Sequence, residues 1–271
     1  RDRHFRLYKR GASGGSYHGV ALYVRASLAR SLQLRSTPTH PDALWVRILK
    51  GATTGGVSEL SVNLSVGVYY LSPSLSDAAF AEALRELSTL VVQFRGEGDE
   101  VVILGDFNAH FECPLSHAEF GPGEMNVCGP YAHSETDGRG RMLIHFLRGC
   151  SMLSLHGWRQ GVDERTYRSS HGPVTTVDYV LVTPRLAGDG ADYVVDYSMD
   201  MPSDHYLVLS HLPLLVLRDA VHAVPPVKVP RGRWSIPRLC TAADRERAAH
   251  CCDALQLWQP GVDVNCEQAT R

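Results

Sequence analysis

The 271-residue sequence predicts an α/β protein in which stacked β-sheets carry helices on their outer faces. Its composition, 44% hydrophobic and 21% charged, is ordinary for a globular protein with a sizeable core. Short β-prone runs outnumber amphipathic helical runs, which is typical of packed sheets with a few flanking helices. No apolar run in the sequence approaches the roughly 18 residues that cross a bilayer, which argues against a membrane protein.

Two amphipathic helices interrupt the predicted strands. The first follows Ser76, the predicted N-cap, and ends at Gly96, because apolar side chains recur between them at steps of three and four residues. The second is predicted at Arg141–Arg148. Glycine-rich residues 11–19 are predicted as a hairpin or loop, and residues 171–173 as a hairpin turn. The predicted strands are 19–25, 44–49, 60–70, 100–104, 152–155, 165–168, 175–182, 193–197 and 207–212.

The character of the sequence changes after residue 217. Residues 1–217 hold all of the predicted strands and form the predicted domain. Residues 218–240 are rich in proline and basic side chains, which predicts a linker. A helix is expected from Thr241 to about Trp258, and residues 241–271 are interpreted as the helical start of a further region.

Basic side chains are concentrated at the start of the chain. Residues 1–50 contain ten of the 27 basic residues and only two of the 29 acidic residues, a modest indication of a polyanionic partner. The seven cysteines are scattered and form no C-x-x-C pair. We therefore assign them no metal and expect reduced thiols in an intracellular protein.

Three short segments at predicted strand ends carry the candidate chemistry. In the first, an apolar strand leads through Gly105 to Asp106 and Asn108. Residues two apart in an extended chain point to one face, so this carboxylate and this amide project together. An Asx-type turn that merely closes the strand is the structural alternative.

The other two segments supply a second acid and an acid–imidazole pair. Asp178 stands in an otherwise apolar strand, where an acid is costly unless it is paired or hydrogen-bonded. Asp204 and His205 stand just before a hydrophobic strand. Purely structural hydrogen bonding is the alternative for each. Together, however, an imidazole, an acid to orient it and further oxygen ligands for a hard cation are the groups that metal-assisted phosphodiester hydrolysis needs.

These segments, in this order, resemble the signature of the endonuclease/exonuclease/phosphatase superfamily over about residues 15–215. The matching motifs are residues 105–108, 177–179 and 203–205. The resemblance implies a four-layer α/β sandwich of two packed mixed β-sheets with flanking helices. It also implies a hydrolase that uses Mg²⁺, with Mn²⁺ as the alternative ion.

The resemblance implies a role for each site residue. His205 would be the general base that activates water, and Asp178 would orient it. Asp204 would bind the metal. Asp106 would position the nucleophile and Asn108 would contact the scissile phosphate, both being candidate metal ligands as well.

Two further positions match the family pattern. A tyrosine near the phosphate lies after a strand and before a proline, which fits both Tyr69 and Tyr70; Tyr69 is preferred, with a core position as the alternative. Thr166 matches a threonine that precedes the hairpin leading to Asp178, which implies a substrate-binding role.

Within the superfamily, the sequence most resembles the endonuclease domains of non-LTR retrotransposons. The segments that carry this likeness are 19–25, 68–73, 105–110 and 137–146. It implies a retroelement enzyme that nicks DNA, with access to the nucleus and a reverse transcriptase in the same polyprotein. No reverse-transcriptase motif occurs in these residues.

One departure from the family pattern bears on activity. Family members begin with a strand that bears an Asn, and a second strand ends in a metal-binding Glu, whereas Asp2 is the only acid before Gly19. We therefore expect a domain without its first strands and with impaired activity. Two other hypotheses stay open: a phosphatase or phosphodiesterase acting on inositol phosphates or phospholipids, and a catalytically inactive retroelement remnant.

Overall fold

The computed structural model confirms the predicted α/β class, with a six-stranded mixed sheet and the two long helices packed on one face. The predicted linker and the helix expected from Thr241 lie outside the described residues. Within the described ranges, no helix is both long and apolar enough to cross a membrane. The structure describes residues 5–11, 19–35, 40–53, 58–112, 126–132, 135–169, 172–198 and 202–217.

The strands and helices of the described residues largely follow the predicted pattern. The strands at 5–11, 32–35 and 215–217 were not predicted, and in the first of them basic residues interrupt the apolar positions. In chain order the elements are β1 (Phe5–Gly11), β2 (Gly19–Arg25), α1 (Ala26–Ala29), β3 (Leu32–Arg35), β4 (Ala43–Ile48), β5 (Ser58–Leu60), β6 (Asn63–Tyr70), α2 (Asp77–Gly96), β7 (Asp99–Asp106), α3 (Gly138–Gly149), β8 (Leu153–Ser154), β9 (Tyr167–Ser169), β10 (Gly172–Thr175), β11 (Asp178–Val182), β12 (Asp192–Asp196), β13 (Leu207–His211) and β14 (Leu215–Leu217).

The central sheet has the strand order β3-β4-β6-β7-β11-β8. Strands β6 and β7 are parallel, and helix α2 crosses over between them because parallel neighbours need a long connection. The other neighbouring pairs are antiparallel. The predicted N-cap of α2 is confirmed, since the Ser76 hydroxyl accepts a hydrogen bond from the Ala79 N–H at 3.2 Å.

Helix α3 begins three residues earlier than predicted, at Gly138. The reason is its N-cap, Asp137, whose carboxylate accepts a hydrogen bond from the Gly140 N–H at 2.6 Å. Glycine has a low intrinsic helix propensity, so the two glycines of the first turn concealed this start in the sequence pattern.

Two hydrophobic cores lie on opposite faces of the central sheet. Along β7, Val101 and Ile103 belong to the core under α2 and α3, whereas Val102 belongs to the core on the other face. This second core is covered by short antiparallel pairs of strands, including β12–β13. The predicted sandwich is thus confirmed, and in the described residues its second layer of strands consists of these two-stranded pieces.

Candidate active site

Two aspartates meet at one edge of the central sheet. Strand β7 ends at Asp106 and the antiparallel β11 begins at Asp178, and the register makes these residues direct partners. Residues directly opposite in neighbouring strands present their side chains to the same face. Val102 lies four residues before Asp106 in β7, and Val180 lies two residues after Asp178 in β11, so each valine points to the same face as the aspartate of its strand. Both valines enter the second core, and both carboxylates therefore lie on that face.

The turn after β7 fixes the Asp106 carboxylate. The Asn108 backbone N–H donates to Asp106 Oδ1, and the Asn108 side-chain amide donates to Asp106 Oδ2, at 2.9 Å each. The same amide donates to the Leu71 carbonyl at 3.0 Å. The Asx-type turn that was the structural alternative is therefore present, and it holds the carboxylate in place rather than competing with a catalytic role.

Two residues of this turn have unusual backbone conformations. Asn108 has φ of +45°, the left-handed region that Asn tolerates better than most residues. Gly105 has φ of +151°, and an added Cβ would collide with the Tyr69 carbonyl of the adjacent strand. Close approach of β6 and β7 next to Asp106 thus requires glycine at position 105.

The imidazole of His205 is oriented by Asp178. Its Nδ1 lies 2.8 Å from Asp178 Oδ2. An ionised carboxylate only accepts hydrogen bonds, so Nδ1 carries the proton and Nε2 is the nitrogen that can accept one. This hydrogen bond raises the pKa of His205 above its usual value, outweighing the opposing effect of burial.

The free nitrogen of His205 faces two carboxylates. Nε2 lies 4.0 Å from Asp106 Oδ2 and 4.0 Å from Asp204 Oδ1. These separations exceed a hydrogen bond, but two hydrogen bonds of about 2.8 Å that meet at a right angle span about 4 Å. The spacing therefore suits a water molecule held between the base and a carboxylate.

The residues at this edge fit a divalent cation. Ligand atoms of Asp106, Asp178 and His205 all lie within 4.8 Å of one another. Burial, and then the nearby charge of Asp178, raises the pKa of Asp106 to about 6. A cation would relieve this repulsion, and carboxylate oxygens are the ligands that Mg²⁺ prefers. Asp204, the predicted metal ligand, is 69% exposed at the rim and lies outside this close group.

The structure places the two candidate tyrosines on opposite faces of the central sheet. Tyr69 faces the core under the helices, where it is 3% exposed and its hydroxyl accepts a hydrogen bond from Trp45 Nε1 at 2.8 Å. Tyr70 is the parallel partner of Asp106 and shares its face of the sheet. The register of β6 against β7 decides which tyrosine shares the face of Asp106, and the sequence alone does not supply that register.

Thr166 lies inside the protein rather than at the surface of the site. It is fully buried, and its hydroxyl accepts hydrogen bonds from the N–H groups of Val177 and Asp178, at 3.1 Å each. The geometry thus does not favour the predicted contact with substrate. Tyr193, which the sequence did not single out, donates to the Asp178 carbonyl at 2.8 Å; only the tertiary fold brings these two strands together.

No upstream carboxylate joins the site in the part of the chain that the structure describes. Residues 5–11, 19–35 and 40–41 contain no Asp or Glu, and Asp42 is the first acid among the described positions. Among the described residues, the candidate ligands are therefore the carboxylates of Asp106 and Asp178, with Asp204 at the rim, because Nε2 of His205 is the nitrogen that can accept a proton.

The chain is similar to known proteins of one family. The model of the endonuclease/exonuclease/phosphatase family matches residues 2–205. No curated protein sequence matches the chain. Among solved structures, the endonuclease domain of TRAS1, a telomere-specific non-LTR retrotransposon, is similar at 17% identity and a TM-score of 0.50, covering 80% of this chain and 79% of that one.

Two further structures share the fold. The catalytic domain of APE2 from Xenopus laevis is 16% identical with a TM-score of 0.53, over 81% of this chain and 78% of that one. The AP endonuclease LMAP from Leishmania major is 13% identical with a TM-score of 0.56, over 80% and 71%. At these identities, the similarity establishes the fold but does not identify the substrate, which has to be inferred from the site.

Proposed function

Since the chain belongs to the endonuclease/exonuclease/phosphatase family, we propose that it hydrolyses phosphodiester bonds in DNA with the help of Mg²⁺. The observation that carries this proposal is the hydrogen bond of 2.8 Å between Asp178 and His205 Nδ1, which leaves Nε2 facing Asp106. This arrangement of a base, an orienting acid and a second carboxylate suits the activation of water for attack on phosphorus.

The residues divide the reaction between them. His205 Nε2 accepts a proton from water, whose oxygen attacks the phosphorus while the bond from phosphorus to the leaving oxygen breaks. The leaving oxygen takes up a proton from solvent and departs as an alcohol. Asp178 stabilises the imidazolium that forms, because its carboxylate already bonds the opposite ring nitrogen. Asn108 keeps Asp106 aimed at the site through the turn. When bound, Mg²⁺ supplies positive charge beside the charge that develops on the phosphate.

The choice of DNA rests on charge and on fold. Residues 5–11 and 19–30 contain five basic residues and no acidic one, which suits the phosphate backbone of a nucleic acid. The TRAS1 domain, whose fold is similar, comes from a non-LTR retrotransposon. We therefore propose a retroelement endonuclease that nicks chromosomal DNA, which requires access to the nucleus.

A paired substrate assay tests this function. The protein with Mg²⁺ is expected to convert supercoiled plasmid slowly to the open circle and to leave phosphoinositides intact. His205→Ala is expected to lose nicking by about 10²–10⁴-fold, the usual contribution of a general base. His211→Ala, an exposed histidine in β13, is the matched control and should nick like the wild type.

The same assay separates the alternatives. Release of phosphate from phosphoinositides without nicking would replace the DNA proposal with a small-molecule phosphatase. Failure on both substrate classes, with Mg²⁺ and with Mn²⁺, would leave a catalytically inactive remnant. Equal nicking by the wild type and His205→Ala would remove His205 from its proposed role.

A further inference from the structure

A buried hydroxyl holds the beginning of β11, the strand that carries the orienting acid. The Thr166 side chain has no exposed surface, and its hydroxyl oxygen accepts from both the Val177 N–H and the Asp178 N–H. A hydroxyl has two acceptor lone pairs, so these two bonds use its whole accepting capacity. The side chain is thus committed to the backbone of Asp178 and its neighbour.

The main chain of the same residue holds the segment that carries the base. The Tyr206 N–H donates to the Thr166 carbonyl at 2.7 Å, and the Arg168 N–H donates to the Asp204 carbonyl at 2.8 Å. These bonds flank an antiparallel bridge between Tyr167 and His205. The backbone of His205 is therefore paired with the segment that Thr166 begins.

The two sets of bonds meet in one residue. Thr166 bonds the backbone of Asp178 through its side chain and the neighbour of His205 through its carbonyl. The hydrogen bond of 2.8 Å between the Asp178 and His205 side chains depends on the relative position of these two backbone segments. A shift that lengthened the bond by about 1 Å would take it beyond hydrogen-bonding range.

We propose that Thr166 is a positioning residue that sets the geometry of the Asp178–His205 pair and makes no contact with substrate. This inference rests on the proposed function, because it assigns a role within the same catalytic centre. It replaces the substrate-binding role that the family resemblance implied for Thr166.

Three substitutions isolate the hydroxyl. Thr166→Val keeps the branched shape but leaves two buried N–H groups without an acceptor. Thr166→Ser keeps the acceptor. Thr176→Val is the matched control, because Thr176 is also buried and its hydroxyl donates to the Glu164 carbonyl at 2.8 Å without bonding Asp178 or His205.

Steady-state kinetics on a duplex oligonucleotide give the first measurement. Thr166→Val is expected to lower kcat by roughly 10–100-fold, the usual effect of losing an outer-shell partner, with KM within about twofold of the wild type. Thr166→Ser should restore kcat to within about threefold, and Thr176→Val should keep the kcat of the wild type.

The proton on His205 Nδ1 gives a second measurement that needs no substrate. In the wild type, its hydrogen bond to Asp178 should produce a downfield, slowly exchanging imidazole resonance in the NMR spectrum. The resonance should disappear or move upfield in Thr166→Val and persist in Thr166→Ser and Thr176→Val. If Thr166→Val does not fold, Thr166→Cys, a weaker acceptor, should show an intermediate kcat and a shifted resonance.

Each remaining outcome counts against the proposal. A raised KM with unchanged kcat in Thr166→Val would assign Thr166 to substrate contact. Equal losses in Thr166→Val and Thr176→Val, or no rescue by serine, would reduce the effect to general packing. The two proposals also fail separately: a wild type that cleaves nothing overturns the nuclease, whereas an unchanged Nδ1–H resonance in Thr166→Val overturns the positioning role alone.

Discussion

At the scale of the residue, Asp106 is a carboxyl group of the candidate site whose ionised form the folded protein disfavours. Burial and the neighbouring Asp178 raise the pKa of Asp106 from 3.8 to about 6. A carboxyl group whose pKa is raised on folding costs stability as it ionises, so this cost develops between about pH 4 and pH 6 and is fully present above pH 6. A bound cation would offset the cost, which couples stability to function at a single side chain.

Asp106→Asn is therefore expected to stabilise the metal-free protein at pH 8. Removing the charge should raise the free energy of unfolding by at most about 3 kcal/mol, at roughly 1.4 kcal/mol per pKa unit, and the loss of one of the two hydrogen bonds from Asn108 should reduce this gain. Hydrolysis should be lost. Urea denaturation in EDTA measures the change. Adding Mg²⁺ should stabilise the wild type more than the variant.

Asp163→Asn is the control of opposite sign. Its hydrogen bond with Arg165 holds the pKa of Asp163 at about 2, so removing the Asp163 charge should lower stability or leave it unchanged. An Asp106→Asn protein no more stable than the wild type at pH 8 would contradict the electrostatic account of the site.

The raised pKa of His205 predicts the pH dependence of cleavage. The base works only when neutral, so kcat/KM should rise with pH through a pKa above 6.5. Asp178→Asn removes the main cause of the shift, so the acid limb should move to lower pH while the maximal rate falls by as much as about 10⁴-fold. A log–log profile of kcat/KM against pH measures both effects.

The protein contains a matched control for this profile. His110 and Asp137 form a second histidine–aspartate pair, with Nδ1 and Oδ2 2.7 Å apart, and Asp137 also caps α3. Asp137→Asn keeps a capping residue and should leave the acid limb where it is. An acid limb that stays unchanged in Asp178→Asn would remove His205 as the titrating base.

At the scale of the element, the end of β7 decides whether the site forms. Gly105 brings β7 so close to β6 that a methyl group would overlap the Tyr69 carbonyl. Gly105→Ala should lower the free energy of unfolding by about 3 kcal/mol or more and displace Asp106, through overpacking and an unfavourable φ. Thermal unfolding and plasmid nicking would show both losses.

Gly96→Ala tests whether this effect is specific to position 105. Gly96 ends α2 and has no atom near an added Cβ, so alanine there should be neutral or stabilise slightly. Similar losses in the two variants would contradict the close approach of β6 and β7 as the cause.

The elements also show where sequence patterns are sufficient and where they are not. Apolar spacing predicted α2 with its N-cap Ser76, because local periodicity and capping determine a long amphipathic helix. The early start of α3 was not predicted, because Gly138 and Gly140 have a low helix propensity. The Asp137 cap outweighs that propensity in the folded protein. The face on which Tyr69 lies follows from register, which strand propensity alone does not supply.

At the scale of the whole molecule, the fold could be predicted because many weak local signals agreed. The candidate site was predictable only in part. Asp106, Asp178 and His205 stand out as polar residues at the ends of apolar strands, and the fold brings all three together. The support from Thr166 and Tyr193 depends on contacts between distant segments, which leave no periodic trace in the sequence.

The central claim is that this cluster forms a metal-dependent centre for phosphodiester hydrolysis in which His205 is the base. Single-turnover cleavage of a labelled duplex, followed with Mg²⁺ and with EDTA, tests it most directly. We predict cleavage by the wild type that EDTA abolishes and that His205→Ala slows by about 100-fold or more. Cleavage that is equally fast in His205→Ala, or that persists in EDTA, would contradict the claim.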